Sequence, residues 1–242
     1  EETLRDYMRA IYEANIREVC VECRPHPDFC GPKWWTDLDV IMDEARTRGM
    51  RVWVLDDDHF PTGHCNGALV EAEPRLCKQY LNFAATEIAG PVPGAVVDVH
   101  EILHPAPSHF APARPAPAPG GPLQERHFDD DVTLGIYACR MRGDALGERI
   151  DLSRHMNEDW FAWDVPEGHW RIFVLYLTRN GGGRPDYFNI IDHDSVRVLI
   201  DQVYEPHYAH YAADFGKTFA GFFSDEPYLG NTPPYQRVDS GI

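Results

Sequence analysis

The spacing of apolar residues alternates along the chain between helical and extended patterns. Apolar residues three or four positions apart predict helices over residues 2–14, 36–48, 67–81 and 193–215. Short apolar runs predict buried strands at residues 17–23, 50–55 and 219–224. Thr36 is the expected N-cap of the second helix, and Pro74 is expected to interrupt the third. Because Gly49 ends the second helix just before a strand, the two flanking strands should be parallel with a right-handed crossover.

The middle of the chain has a different pattern. Short strands are predicted at residues 81–89, 95–102, 132–141, 159–164 and 169–178. Turn residues such as Pro166-Glu-Gly168 separate them, and residues 104–122 form a proline-rich tract typical of an extended, mobile loop. Several short strands without helices predict an antiparallel, β-sandwich-like domain inserted into an α/β chain.

Composition narrows the classes of function. The 242 residues, 43% of them hydrophobic, suffice for one large or two small domains with apolar cores. The net charge is −17 and the basic residues form no run, which argues against a nucleic acid or an anionic membrane as partner and favours a neutral or cationic ligand. No apolar stretch reaches the roughly 18 residues needed to span a bilayer. A homo-oligomer is compatible with this composition.

The six cysteines are scattered without the regular spacing of a small disulfide-rich domain. This favours reduced thiols and slightly favours a cytoplasmic location. Cys20-Val-Glu-Cys23 is a CxxC pair with His26 and Cys30 close behind, a spacing that suits zinc. The apolar alternation of the same segment fits a buried strand instead, in which cysteine is a small hydrophobic residue.

Two of the predicted strands end in carboxylates, and such ends are where catalytic side chains project in α/β barrels. The carboxylates are Asp56, Asp57 and Asp58 after strand 50–55, and Asp225 and Glu226 after strand 219–224. Because side chains alternate along a strand, Asp56 and Asp58 are expected to share a side and Asp57 to point away. Three adjacent acids also offer oxygen ligands for Ca²⁺.

Three short motifs occur in order along the chain. Trp53-Val-Leu-Asp-Asp-Asp-His-Phe-Pro-Thr-Gly63 resembles the W-x-Y-D-E-x-x-W-P-S-G signature of glycoside hydrolase family 106, the α-L-rhamnosidases, and of its barrel relatives. Val165-Pro-Glu-Gly-His-Trp170 resembles the V-P-x-G-x-W of the β domain that these proteins insert. Gly221-Phe-Phe-Ser-Asp-Glu-Pro227 resembles their F-T-D-E-P strand end. The resemblance spans roughly residues 17–230.

The resemblance implies a (β/α)8 TIM-barrel-type hydrolase that cleaves a glycosidic bond in a carbohydrate substrate with two carboxylates. Residues 1–82 and 191–242 would belong to the N-terminal portion of the barrel, and residues 83–190 to the inserted β domain. Glu226 falls on the family's glutamate and is the expected acid, with Asp225 raising its pKa. Asp57 falls on a second family glutamate but is one methylene shorter, so its expected role is catalysis or sugar binding. The partner of Glu226 is then Asp57, Glu22 or a residue beyond Ile242.

The remaining candidates are substrate-binding residues. Arg24 and His26 follow the first strand, and their side chains suit a sugar hydroxyl or carboxylate. Phe60 and Trp34 offer aromatic faces for a sugar ring, although both also suit core packing. The full set of expected binding residues is Asp225, Asp58, His59, Phe60, Glu22, Arg24, His26 and Trp34.

Two other classes of protein fit the same residues. One is a carbohydrate-binding protein whose catalytic pair has degenerated. The other is a metal-dependent hydrolase that uses residues 56–58 and the nearby histidines. No cofactor is expected for the glycoside hydrolase. A bound metal ion would support the metal-dependent hydrolase.

Overall fold

The computed structural model describes residues 1–24, 26–104, 126–180 and 186–229. They form two compact units, one of Glu1–Lys78 with Arg184–Gly230 and one within Gln79–Gly183. The sequence placed these two boundaries at 82/83 and 190/191, a few residues further along the chain. Apart from its first residue, the proline-rich tract 104–122 lies outside the described residues.

The helices and strands, in chain order, are α1 (Glu2–Glu13), β1 (Glu18–Val21), α2 (Pro32–Arg48), β2 (Arg51–Leu55), β3 (Tyr80–Asp98), α3 (Val99–Leu103), β4 (Val132–Arg142), β5 (Ala145–Asp151), β6 (Met156–Asn157), β7 (Trp160–Thr178), α4 (His193–Leu199), α5 (Glu205–Tyr211) and β8 (Phe219–Phe223). A π-helical segment, Ile200–Tyr204, joins α4 to α5.

The first unit contains a three-stranded parallel sheet with the strand order β1-β2-β8. Val19 pairs with Val52 in β2, and Leu55 at the end of β2 pairs with Phe223. The predicted parallel arrangement of the two strands that flank α2 is therefore confirmed. Since all three strands run the same way, their carboxyl ends meet at one edge of the sheet.

Helix α2 begins four residues before the predicted cap. Pro32 occupies the first turn, where its missing N–H costs nothing, and the Asp28 carboxylate accepts a hydrogen bond from the Lys33 N–H at 2.8 Å. The Thr36 hydroxyl donates to the Pro32 carbonyl at 3.0 Å inside the helix rather than capping it. Gly49 ends the helix in the left-handed conformation, with φ of 61°.

The helix predicted over residues 67–81 does not form. The chain makes short 3₁₀ turns at Cys65–Gly67 and Pro74–Leu76 and then enters β3. Gly67 has φ of 76°, which breaks an α-helix, and Pro74 prevents an earlier turn from continuing through it. The helix predicted over 193–215 does form as α4, the π segment and α5. Pro206 lacks the N–H for an i to i−4 bond, which accounts for the wider π turn before it.

The second unit contains one five-stranded antiparallel sheet with the order β3-β7-β4-β5, and β6 pairs with β7. The sequence predicted four short strands where two strands of 19 residues, β3 and β7, run side by side. The expected turn at Pro166-Glu-Gly168 does not separate two strands, because Gly168 pairs with Gly90 and the ladder continues past them through local irregularities. The expected β-sandwich-like domain is thus a single sheet among the described residues.

The expected (β/α)8 TIM-barrel-type fold is wrong for the described residues. They give an α+β architecture with a three-stranded parallel sheet and a five-stranded antiparallel sheet, whereas a barrel closes eight parallel strands inside eight helices. The sequence correctly indicated parallel strands that end in acids. Parallel strands that end in acids occur in open sheets as well, so they do not imply that the sheet closes into a barrel.

Candidate functional site

The carboxylate of Asp56, directly after β2, is buried and bound by three hydroxyl groups. Its Oδ1 accepts a hydrogen bond from Thr62 Oγ1 at 2.6 Å, and its Oδ2 accepts from Tyr204 OH at 2.7 Å and from Ser224 Oγ. The π segment brings Tyr204 to this point, and burial followed by the bond to Asp56 raises the pKa of Tyr204, so the phenol stays a donor. Asp56 therefore ties the end of β2 to β8 and to the helix.

Asp57 is fully buried, and backbone amides saturate its carboxylate. Oδ1 accepts from the N–H groups of Asp58 at 2.9 Å and Asn66 at 2.8 Å. Oδ2 accepts from the N–H groups of Gly63 at 2.7 Å and Cys65 at 2.9 Å. Four backbone donors leave this carboxylate no free lone pair for a substrate. Its position favours a structural role, since it organises the loop over residues 58–66.

Asp58, in this loop, lines an open cleft of about 450 Å³. The residues that line the cleft are Arg24, His26, Pro27, Asp28, Phe29, Asp58, His59 and Asn66. Four of the residues expected to form a site are thus brought together there. They come from the loops after β1 and β2, which are neighbouring parallel strands. The expected alternation does not hold, because Asp56 points to Tyr204 and Ser224 while Asp58 lines the cleft.

The Asp58 carboxyl has an unusual protonation equilibrium for an aspartate. Burial is the first cause, and the neighbouring Asp57 carboxylate the second, of a rise in the pKa of Asp58 to about 6. Electrostatic interaction with His59 and His64 acts in the opposite direction and lowers the pKa of Asp58. One oxygen of the carboxyl, Oδ1, is buried without a hydrogen-bond partner. A proton-holding carboxyl in a cleft is typical of acid/base sites.

The loop after β1 supplies the cationic side of the cleft. Arg24 Nη2 lies 2.6 Å from Glu22 Oε2, and the guanidinium stands over the Phe60 ring with its Cζ 5.5 Å from the ring centroid. His26 Nδ1 accepts a hydrogen bond from the Asp28 N–H at 3.1 Å, so the ring proton is on Nε2, which lies 3.3 Å from Asp37 Oδ2. Glu22 and Phe60 position Arg24 but are not among the residues that line the cleft.

The carboxylates after β8 are not among the residues that line the cleft. Asp225 is half-buried, and its backbone is tied to Thr62, with a hydrogen bond of 2.9 Å from the Asp225 N–H to Thr62 Oγ1. Glu226 is exposed and has a left-handed backbone, with φ of 38°. Its carboxylate is thus solvated and is not among the residues that line the cleft.

Trp34 lies in the core of the first unit rather than in the cleft. Its indole Nε1 donates to His207 Nε2 at 3.0 Å, and its ring packs edge-on against Phe29 with centroids 4.9 Å apart. A buried ring in such contacts presents no face to a sugar. Burial lowers the pKa of His207 to about 4, so this histidine is a neutral core residue.

The candidate metal-ligating side chains of the described residues lie in different surroundings. No three histidine, cysteine, aspartate or glutamate side chains group among these residues in a way that would hold a metal ion. In the CxxC pair, Cys20 is exposed whereas Cys23 is buried and donates its S–H to the Asp57 carbonyl at 3.0 Å. Burial raises the pKa of Cys23 to about 12, so without a metal ion its side chain is a neutral thiol. No disulfide joins any two of the six cysteines.

Sequence reasoning missed Asp28 and Asn66, which line the cleft, and Tyr204, which binds Asp56. The sequence signal that could have pointed to Asp28 is its place four residues before Pro32, close to the start of a helix. Nothing in the sequence indicates that Tyr204 reaches the end of β2, because that contact spans 148 residues.

No protein family model, curated protein or solved structure matches the chain. Among the described helices, none is both long enough and apolar enough to span a membrane. The inference of function therefore depends on the cleft and on the motifs.

Proposed function

We propose that this chain cleaves a glycosidic bond by carboxyl acid/base catalysis, with Asp58 as the acid. The observation that carries the proposal is the Asp58 carboxyl, which lines an open cleft and has a pKa raised to about 6. At pH 6 an ordinary aspartate, with a pKa of about 3.9, is almost fully ionised. At the same pH about half of the Asp58 carboxyls still carry the proton that a leaving glycosidic oxygen requires.

Glycoside cleavage also needs a second carboxylate as base or nucleophile. Asp28 is the other carboxylate among the residues that line the cleft, and it takes that role in our proposal. Arg24 and His26 supply donors for sugar hydroxyls from the same loop. The resemblance of residues 53–63 to an α-L-rhamnosidase signature supports a deoxysugar glycoside as the first substrate to test.

The test is a panel of aryl glycosides, each offered with a good and a poor leaving group, on the wild-type chain and on D58N. We expect D58N to lower kcat/KM by at least about 100-fold, the usual contribution of a general acid. The loss should be greater for phenyl than for 4-nitrophenyl glycosides, because the poorer leaving group depends more on protonation. The matched control is E226Q, which makes the same change at the exposed acid after β8. D28N is a second test variant, which removes the proposed base or nucleophile. Undiminished activity in D58N would remove Asp58 from the mechanism.

A second candidate is a carbohydrate-binding protein that cleaves nothing. One observation favours it: Asp57 is saturated by four backbone amides and Asp28 accepts a hydrogen bond from the start of α2, so neither is a fully free carboxylate. In that case no glycoside would be cleaved, but sugars would shift the NMR signals of the cleft residues. R24A should abolish those shifts.

A further inference from the structure

The buried Asp57 links the two loops that form the cleft, although it is not among the residues that line it. Its Oδ1 accepts hydrogen bonds from the main-chain N–H groups of Asp58 at 2.9 Å and Asn66 at 2.8 Å, and both of these residues line the cleft. The Asn66 side chain donates to the Phe29 carbonyl at 3.3 Å. The Cys23 S–H donates to the Asp57 carbonyl at 3.0 Å. Asp57 is thus bonded, directly and through Asn66, to the loop after β1.

The same carboxylate holds a backbone conformation that residues other than glycine seldom adopt. Cys65 and Asn66 both have left-handed backbones, with φ of 55° and 52°. The N–H groups of both residues donate to Asp57, and hydrogen bonds to a charged acceptor are stronger than those between neutral groups. The carboxylate therefore stabilises the turn that places Asn66 at the cleft.

We propose that Asp57 is a positioning residue, whose carboxylate fixes Asp58 and Asn66 at the cleft through their main-chain N–H groups. This role differs from the catalysis or sugar binding expected from its place in the motif, because four amide hydrogen bonds occupy its oxygens. The inference deepens the proposed function and rests on it for its catalytic meaning. The hydrogen bonds and their effect on Asp58 are measured without any substrate.

The charge of Asp57 acts on Asp58 in the direction that an acid catalyst needs. Burial is the first cause of the raised pKa of Asp58, and interaction with Asp57 is the next. One negative carboxylate disfavours the ionisation of another beside it, so Asp57 helps Asp58 to keep its proton. An uncharged residue that held the loop equally well would lack this effect.

Several other charged or titratable groups surround the two carboxyls. Those near Asp58 are His59 and His64, whose interaction lowers its pKa, and the cleft-lining Arg24, His26 and Asp28. Those near Asp57 are Asp56, Cys23, Cys30, Cys65, Tyr187 and Tyr204. Burial raises the pKa of each of these thiols and phenols, so all five stay neutral during a titration up to pH 8.

D57N tests the charge, because it removes it and keeps nearly the same side-chain shape. The Asp58 carboxyl is titrated by ¹³C NMR in the wild type, D57N and Y204F. The wild-type midpoint should lie at about 6, and the D57N midpoint should fall below it while staying above 3.8, since burial remains. Y204F is the matched control, because it removes a hydrogen bond at Asp56 and leaves the amides at Asp57 in place, so its midpoint should equal that of the wild type. A D57N midpoint equal to or above the wild-type value would overturn the inference.

A measurement on the wild type decides the case if D57N does not fold. Scalar couplings across hydrogen bonds should join the Asp57 carboxyl carbon to the amide nitrogens of Gly63, Cys65 and Asn66, which lie 2.7 to 2.9 Å from its oxygens. The coupling from Asn66 is decisive, because this residue lines the cleft. Its absence would overturn the inference.

The two proposals fail separately. On a glycoside that is cleaved, D57N should move the alkaline limb of the pH profile of kcat/KM to lower pH, together with the NMR midpoint. A merely structural role would lower kcat/KM at every pH and leave the limb in place. If the D57N midpoint falls but no glycoside is cleaved, Asp57 keeps its positioning role and the proposed function falls. If D58N abolishes cleavage but the D57N midpoint is unchanged, the proposed function stands and the positioning role of Asp57 falls.

Discussion

Replacing Asp58 by asparagine should stabilise the fold at neutral pH and have much less effect in acid. The asparagine has nearly the same shape and keeps the backbone N–H that donates to Asp57. It cannot ionise, so it removes the cost of a charged side chain at a site that disfavours charge. This prediction tests the physical basis of the proposed acid without any substrate.

The sign and the size of this stability change follow from the raised pKa of Asp58. Burial raises the pKa of Asp58 from 3.8 to about 6, so the folded state binds more protons than the unfolded state between these values. Stability is therefore highest below the unfolded pKa and falls as pH rises through the folded pKa. Two pKa units correspond to about 3 kcal/mol. Because Asp58 remains partly exposed, we discount this to about 1–2 kcal/mol.

The assay is urea unfolding of the wild type and D58N at pH 3.5, 5 and 8, followed by tryptophan fluorescence. We expect the difference in free energy of unfolding, variant minus wild type, to grow by about 1–2 kcal/mol between the lowest and highest pH. E226Q is the matched control, since it makes the same change from carboxyl to amide at an exposed acid. A D58N difference that is constant over this range would refute the claim that the fold disfavours the charged form of Asp58.

Three further substitutions test the scaffold around the cleft by thermal or urea unfolding. D57N should cost about 2–4 kcal/mol, because an amide cannot accept from all four backbone donors that the carboxylate binds; a cost under about 0.5 kcal/mol would contradict that role. Y204F removes one of the three hydroxyl donors to the buried Asp56 carboxylate and should cost about 1–3 kcal/mol. An unchanged unfolding midpoint would contradict a stabilising role of this hydrogen bond. G63A should destabilise strongly, since φ is 133° and the added Cβ would lie 2.4 Å from a Tyr187 ring carbon. G49A, also at positive φ but with open space around it, should cost only about 1 kcal/mol, so equal losses in the two glycine variants would refute the steric argument.

Part of the candidate site was predictable from the sequence. Arg24, His26, Asp58 and His59 were expected from strand ends, and they meet because β1 and β2 are adjacent parallel strands. The assignment of roles within the acid cluster was not predictable. A motif marks where carboxylates lie along the chain but does not specify which hydrogen-bond donors reach them.

Asp57 illustrates this limit. By its place in the motif it was a catalytic candidate, yet in the fold four amides of its own loop bind it. The chain leaves β2 at Leu55, so the alternation of a strand no longer governs the three acids that follow. Trp34 shows the same limit, because an aromatic residue at the start of a helix has the same sequence signature in a core as at a binding surface.

The sequence by itself determined the helices and strands that depend on residues close together in the chain. Apolar periodicity and the glycine stop specify α2 and the parallel pair β1 and β2, because each depends on residues a few positions apart. Only the tertiary structure decided that the short strands of the second unit merge into the 19-residue ladder of β3 and β7, and that three parallel strands form an open sheet rather than a barrel. It also decided that hydrogen-bond donors saturate the Asp57 carboxylate and that the pKa of Asp58 is raised. Burial and hydrogen-bond supply set these properties, and both arise from residues far apart in the chain, such as Tyr204 at Asp56.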